Sequence, residues 1–202
     1  MANFSYTPKP DGVKRALLST PMIVHPRVAP LLGLALTLLL TSGACGGDDD
    51  DDEGSGAGAV EGVETFEVGT PEHVDADVDY PQTPPVGGDH NRAWLNCGAY
   101  PDEVPEEMAV HSMEHGAVWV TYRSDLDPAT VATLAELADN QTYLIVSPYP
   151  ELPAPVVASA WGVQLQLGSA ADGRLTAFLD QYREGDQTPE PGAPCTGGFS
   201  PE

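Results

Sequence analysis

Residues 110–116 read Val-His-Ser-Met-Glu-His-Gly and set two imidazoles, a thioether and a carboxylate close together. On an extended path His111, Met113 and His115 share one face, because side chains two apart point the same way along a strand. On a helical path only His111 and His115 meet, at the i,i+4 spacing. Both paths set two imidazoles side by side. Neutral imidazole is the commonest protein ligand for transition metals, and a thioether beside it shifts preference toward copper, especially Cu(I). Glu114 could orient an imidazole N–H or act as a base beside a metal-bound water. His73 and His90, carried on loop segments, are further candidate ligands.

Other chemistries find less support. His111-Ser112-Met113-Glu114-His115 spells the inverted zincin string, in which a long helix offers two histidines to zinc and the glutamate to a water. Here Gly116 and the β-prone residues 117–122 cut any such helix short. No Gly-rich phosphate loop with a lysine and no Gly-x-Ser-x-Gly elbow occurs.

The elements that must position these residues begin near Val63, with a weak alternating strand before Pro71. Residues 80–90 are rich in proline and glycine and form an ordered loop that ends on His90. Residues 91–107 read as irregular chain, and residues 106–115 have some helical character with Gly116 placed to end the helix. Residues 117–122 should be a buried strand. Asp127-Pro128 opens a helix over 129–138, and residues 142–146 make a second strand. Residues 156–167 read as one or two antiparallel strands bent at Gly162, and Leu175, Phe178, Leu179 and Tyr182 mark a last amphipathic helix. The expected fold class is α+β: a small, mostly antiparallel sheet with two or three helices on one face and a loop-rich N-terminal lobe.

Ahead of this domain, residues 28–40 are almost wholly apolar and follow Lys9, Lys14, Arg15 and Arg27. The apolar run is about 13 residues, short for a hydrocarbon core of roughly 30 Å, and small residues follow it, so residues 1–45 read as an export signal. Gly43-Ala44-Cys45 resembles the lipobox of bacterial lipoproteins, which implies acylation at Cys45 and a membrane anchor. It departs from that pattern at Ser42, where leucine is usual, and simple cleavage is the alternative. Residues 46–62 carry the carboxylate run from Asp48 to Glu53 and then a Gly-rich tether, a solvated linker before the domain at 63–202.

Beyond Cys45 the chain has four arginines, no lysine and 30 acidic residues, since only Asp11 of the 31 precedes that point, a balance of −26. Nothing basic remains to follow a phosphate backbone, which excludes nucleic acid as a partner. With Cys45 acylated, Cys97 and Cys195 form an even pair in an oxidising compartment and are expected to make a disulfide. Closing a loop of about a hundred residues is worth about 4 kcal/mol in the chain-entropy model. The competing reading makes one or both of them copper ligands.

Several stretches together resemble the DUF3105 family, exported or membrane-anchored bacterial proteins with no assigned activity. They are residues 84–90 (Pro-Pro-Val-Gly-Gly-Asp-His), Trp94 with residues 96–100 (Asn-Cys-Gly-Ala-Tyr), and residues 110–116. Trp161-Gly162 and residues 189–192 (Pro-Glu-Pro-Gly) before Cys195 complete the set, and the resemblance spans residues 65–198. His90, His111 and His115 match the family pattern, whereas the position of Met113 is often leucine there. Three imidazoles suffice for a zinc site with an open position, or for a copper site completed by Met113 or His73. The combined reading is an exported, lipid-anchored domain that binds a transition metal, copper ahead of zinc, for binding or delivery without catalysis. Its partners would be the metal ion, the membrane and an exported metal-handling protein. A zinc-dependent hydrolase is the first alternative, and a structural module with a buried histidine network is the second.

Overall fold

The computed structural model describes residues 59–201, so the signal-like segment, Cys45 and most of the acidic linker lie outside the described residues. The domain is built on two strands that a helix joins. Strand β3 (Val118–Tyr122) runs into helix α2 (Pro128–Asn140), which returns the chain to strand β4 (Leu144–Pro148). A crossover helix lets consecutive strands lie parallel, and β3 and β4 pair that way. Asp127 caps α2 by accepting from the Thr130 amide at 3.0 Å, and Pro128 follows it where its missing N–H costs nothing.

Strands β5 (Val156–Ala160) and β6 (Val163–Leu167) form an antiparallel hairpin closed by Trp161-Gly162. Gly162 has φ +70° at the second loop position, a conformation that glycine adopts without penalty. Strand β5 pairs antiparallel with β3, strand β1 (Val63–Thr65) adds to β6, and the short β2 (Gly98–Ala99) pairs in parallel with β4. The sheet order is β1-β6-β5-β3-β4-β2.

This sheet is larger than the small one expected. It has six strands and, although mostly antiparallel, it is mixed, because β4 pairs in parallel on both sides.

Side chains alternate across β3 and fill two cores. Val118, Val120 and Tyr122 pack with Leu134 of α2 and with Leu175, Phe178 and Leu179 of helix α3 (Arg174–Tyr182). Trp119 points the other way, toward Ala109, Val110 and Met113 of helix α1 (Glu106–Glu114). Helices therefore cover both faces of the sheet instead of one, because every residue of β3 is buried and each face needs its own cover.

Cys97 and Cys195 are joined by a disulfide across 98 residues, with their Cα atoms 5.4 Å apart. That bond removes both thiols from any copper site. Backbone bonds beside it lash the tail to the segment before β2: Cys97 N–H donates to Cys195 O at 2.8 Å and Asn96 N–H to Phe199 O at 2.8 Å.

Helix α1 ends on a Schellman motif. Gly116 N–H donates to Met113 O at 3.0 Å and Ala117 N–H to Ser112 O at 2.9 Å, with Gly116 at φ +109°. A Cβ at Gly116 would lie 3.0 Å from Glu184 Cα, so both the dihedral and the space require glycine. Gly116→Ala should lower the unfolding free energy by about 2 kcal/mol, read as a lower urea midpoint with an unchanged m value. An unchanged midpoint would contradict this. Replacing both Cys97 and Cys195 by alanine should cost about 4 kcal/mol in the same assay.

Candidate metal centre

Helix α1 is short because Pro105 precedes it and Gly116 ends it. Glu106 and Glu107 in its first turn complement the positive end of the helix dipole. Within it His111 and Glu114 stand three apart and His115, at the cap, four apart, so all three look out on one face. Met113 falls on the opposite face, fully buried among the apolar residues around Trp119. The thioether could join the histidines only on an extended path; the chain is helical here, so Met113 is a core residue and the expectation of a methionine ligand is corrected. Ser112 fixes the height of the helix by donating its hydroxyl to Leu95 O at 2.7 Å.

The other ligands arrive on loops. Gly87 and Gly88 have φ +141° and +115°, and a Cβ at Gly87 would press on the side chains of Val68 at 3.0 Å and Trp161 at 3.3 Å. This turn delivers His90, whose amide donates to Glu72 O at 3.1 Å while Val74 N–H donates to His90 O at 2.8 Å. The exchange forms an isolated parallel bridge that sets His73 beside His90. Tyr80 braces the turn, donating its hydroxyl to Asp89 O at 2.7 Å. Burial, followed by the nearby charges of Glu107, Glu106 and Asp89, pushes the Tyr80 hydroxyl well above the usual range and keeps it a donor.

These segments bring His73, His90, His111 and Glu114 together, with one ligand atom from each lying within 4.8 Å of all the others. His73 is exposed and the other three are buried. Ring centroids lie 4.9 Å apart for His73 and His90, 4.9 Å for His73 and His111, and 4.8 Å for His90 and His111. Two ligands at 2.0–2.1 Å from one ion can stand at most about 4.2 Å apart, so a small inward movement completes a common coordination sphere.

The buried rings are aimed by their far nitrogens. His90 Nδ1 donates to Gly88 O at 2.9 Å, and His111 Nδ1 donates to Asn91 O at 2.7 Å. A carbonyl only accepts, so each Nδ1 carries the proton and each Nε2 is left for the centre. His90 Nε2 is buried 3.0 Å from Glu114 Oε2 and makes no hydrogen bond, since with the proton on Nδ1 both facing atoms are acceptors. Two lone-pair atoms about 3.0 Å apart have the spacing of adjacent ligands on one ion at about 2.1 Å.

His115, expected as a ligand of the same centre, stands apart from the four. Its ring is 4.5 Å from that of His111, its Nδ1 donates to Pro194 O at 2.7 Å, and its Nε2 is 3.8 Å from Glu190 Oε2. Glu114, expected only to orient a ligand, stands among the ligand atoms themselves. Glu190 and the three backbone carbonyls carried no signal that residue type or spacing could reveal.

The chain belongs to the family described as "Protein of unknown function (DUF3105)", whose match covers residues 73–197 and so every residue of this centre. No curated protein and no solved structure matches the chain.

Burial, against the opposing effect of Asn91 O and together with the neighbouring His115, His90 and His73, lowers the His111 imidazole to about 4. The unfolded chain binds this proton near 6.5 and the folded chain only near 4. Between those values the unfolded state holds more protons, so the His111 contribution is fully present above about 6.5 and is lost as the pH falls toward 4. Urea unfolding of the metal-free protein should show this decline, and His111→Gln should flatten it. An equally steep decline in the variant would assign the acid sensitivity to other groups.

Proposed function

We propose that this chain is an exported, lipid-anchored α+β domain that binds a transition metal ion through His73, His90, His111 and Glu114 and serves metal binding or delivery. One observation carries the reading: the buried Nε2 of His90 has no hydrogen-bond partner and faces the Glu114 carboxylate at 3.0 Å. A nitrogen and a carboxylate oxygen buried 3.0 Å apart without a hydrogen bond have the spacing of neighbouring ligands on one ion at about 2.1 Å. A cation between nitrogen and carboxylate satisfies both. The depressed His111 supports the same reading, since its lone pair stays available in mildly acidic solution.

Copper remains the favoured ion, with a change of oxidation state. With Met113 in the core, the ligands are three imidazoles and a carboxylate, a set suited to Cu(II) more than Cu(I), and Cu(II) stands above Zn(II) in the affinity order for such sites. The exposed ring of His73 is the ligand that an exported metal-handling partner could reach and displace. Export and anchoring rest on the signal-like residues 1–45 and on a disulfide that belongs to an oxidising compartment.

Titration of untagged full-length protein should show one tight Cu(II) ion, held more tightly than Zn(II). His90→Gln, His111→Gln and Glu114→Gln should each weaken it by more than about a hundredfold, beyond what loss of an outer partner costs. Met113→Leu, which roughly conserves core volume, should leave the affinity within about twofold. Undiminished binding in all three ligand variants would remove the metal reading.

A further inference from the structure

The main site leaves His115 and Glu190 unused. His115 is as buried as its neighbours, and its Nδ1 donates to a backbone carbonyl, Pro194 O at 2.7 Å, as those of His90 and His111 do. Its Nε2 therefore also stands ready as a ligand atom. It faces Glu190 Oε2 at 3.8 Å, too far for a hydrogen bond. That separation fits two ligands held by one ion at 2.0–2.1 Å, which can span up to about 4.2 Å. The Glu190 side chain is 61% exposed and that of His115 only 5%, so the pair runs from solvent toward the interior.

The tail holds the pair in place. Glu190 N–H donates to Glu114 O at 3.0 Å, Tyr143 donates its hydroxyl to Ala193 O at 2.9 Å, and the disulfide at Cys195 follows Pro194 directly. The Glu190 carboxylate is thus carried on backbone tied to the helix end that supplies the main site. The ring of Trp94 lies 5.4 Å from His115 and 5.9 Å from His111.

We infer that His115 and Glu190 form a second, weaker binding site for the same class of divalent transition metal ion, next to the four-ligand centre. This inference rests on the four-ligand reading. With two protein ligands, water must fill the remaining positions, which makes the site weaker and exchangeable. An ion held there sits one imidazole away from His111.

The test is a Cu(II) titration of the full chain followed by tryptophan fluorescence, which senses ions near Trp94 and Trp161 and not those at the tryptophan-free acidic run. The wild type should take up two equivalents, the second at least about tenfold more weakly than the first, because fewer protein ligands hold it. Glu190→Gln, an exposed substitution that leaves its backbone bond to Glu114 in place, should take up only the tight one. Equal numbers of bound ions in the wild type and Glu190→Gln would overturn the inference and leave the four-ligand centre standing. Failure of that centre shows separately, as tight binding that survives in His90→Gln and His111→Gln.

Discussion

Three times in this domain a buried imidazole is held by the same interaction, an Nδ1–H donated to a backbone carbonyl: Gly88 for His90, Asn91 for His111 and Pro194 for His115. The bond fixes the tautomer and the ring orientation together, so what each histidine offers its surroundings is decided by the backbone and not by another side chain. The three carbonyls lie on the 80–90 loop, the segment before β2 and the C-terminal tail. Everything that shapes those segments therefore shapes the site, including the crowded glycine turn at Gly87 and Gly88 and the disulfide that ties the tail down.

Helix α1 carries the conflict between core and site. One side supplies Ala109, Val110 and Met113 to the apolar layer under Trp119, and the other buries His111, Glu114 and His115 against loops. Burying so many polar groups is costly unless each finds a partner. The carbonyls satisfy three Nδ1 atoms and Leu95 O satisfies Ser112, while His90 Nε2 faces Glu114 Oε2 at 3.0 Å without a hydrogen bond. The remaining cost is concentrated where a cation would relieve it, and burial of His111 keeps that imidazole from filling the gap with protons of its own.

Much of this was legible in residue order. Residues 117–122, the Asp127-Pro128 helix start, the strand pattern bent at Gly162 and the Leu175 to Tyr182 stripe announce themselves by periodicity and punctuation, and the structure has elements at each. The two-residue β2 is too short to leave a period, and its parallel pairing with β4 depends on contacts far apart in sequence. The helix between β3 and β4 did carry the signal for a parallel pair, but strand patterns alone favoured an antiparallel sheet. At the site, spacing marked the His111 and His115 pair but could not choose between helix and strand. That choice decided Met113, which turned inward, and Glu114, which turned toward the histidines. His115 parted from its neighbour because Pro194, 79 residues away, captured its ring.

Three imidazoles and one carboxylate, without sulfur, are proposed to hold a single metal ion. The X-ray absorption spectrum of the full-length protein loaded with one equivalent of Zn(II), an ion with no redox chemistry, reads that ligand set directly. Nitrogen and oxygen ligands at about 2.0–2.1 Å with the multiple scattering of three imidazoles are expected. A sulfur shell at about 2.3 Å, or a sphere of oxygen ligands without imidazole, would contradict that ligand set.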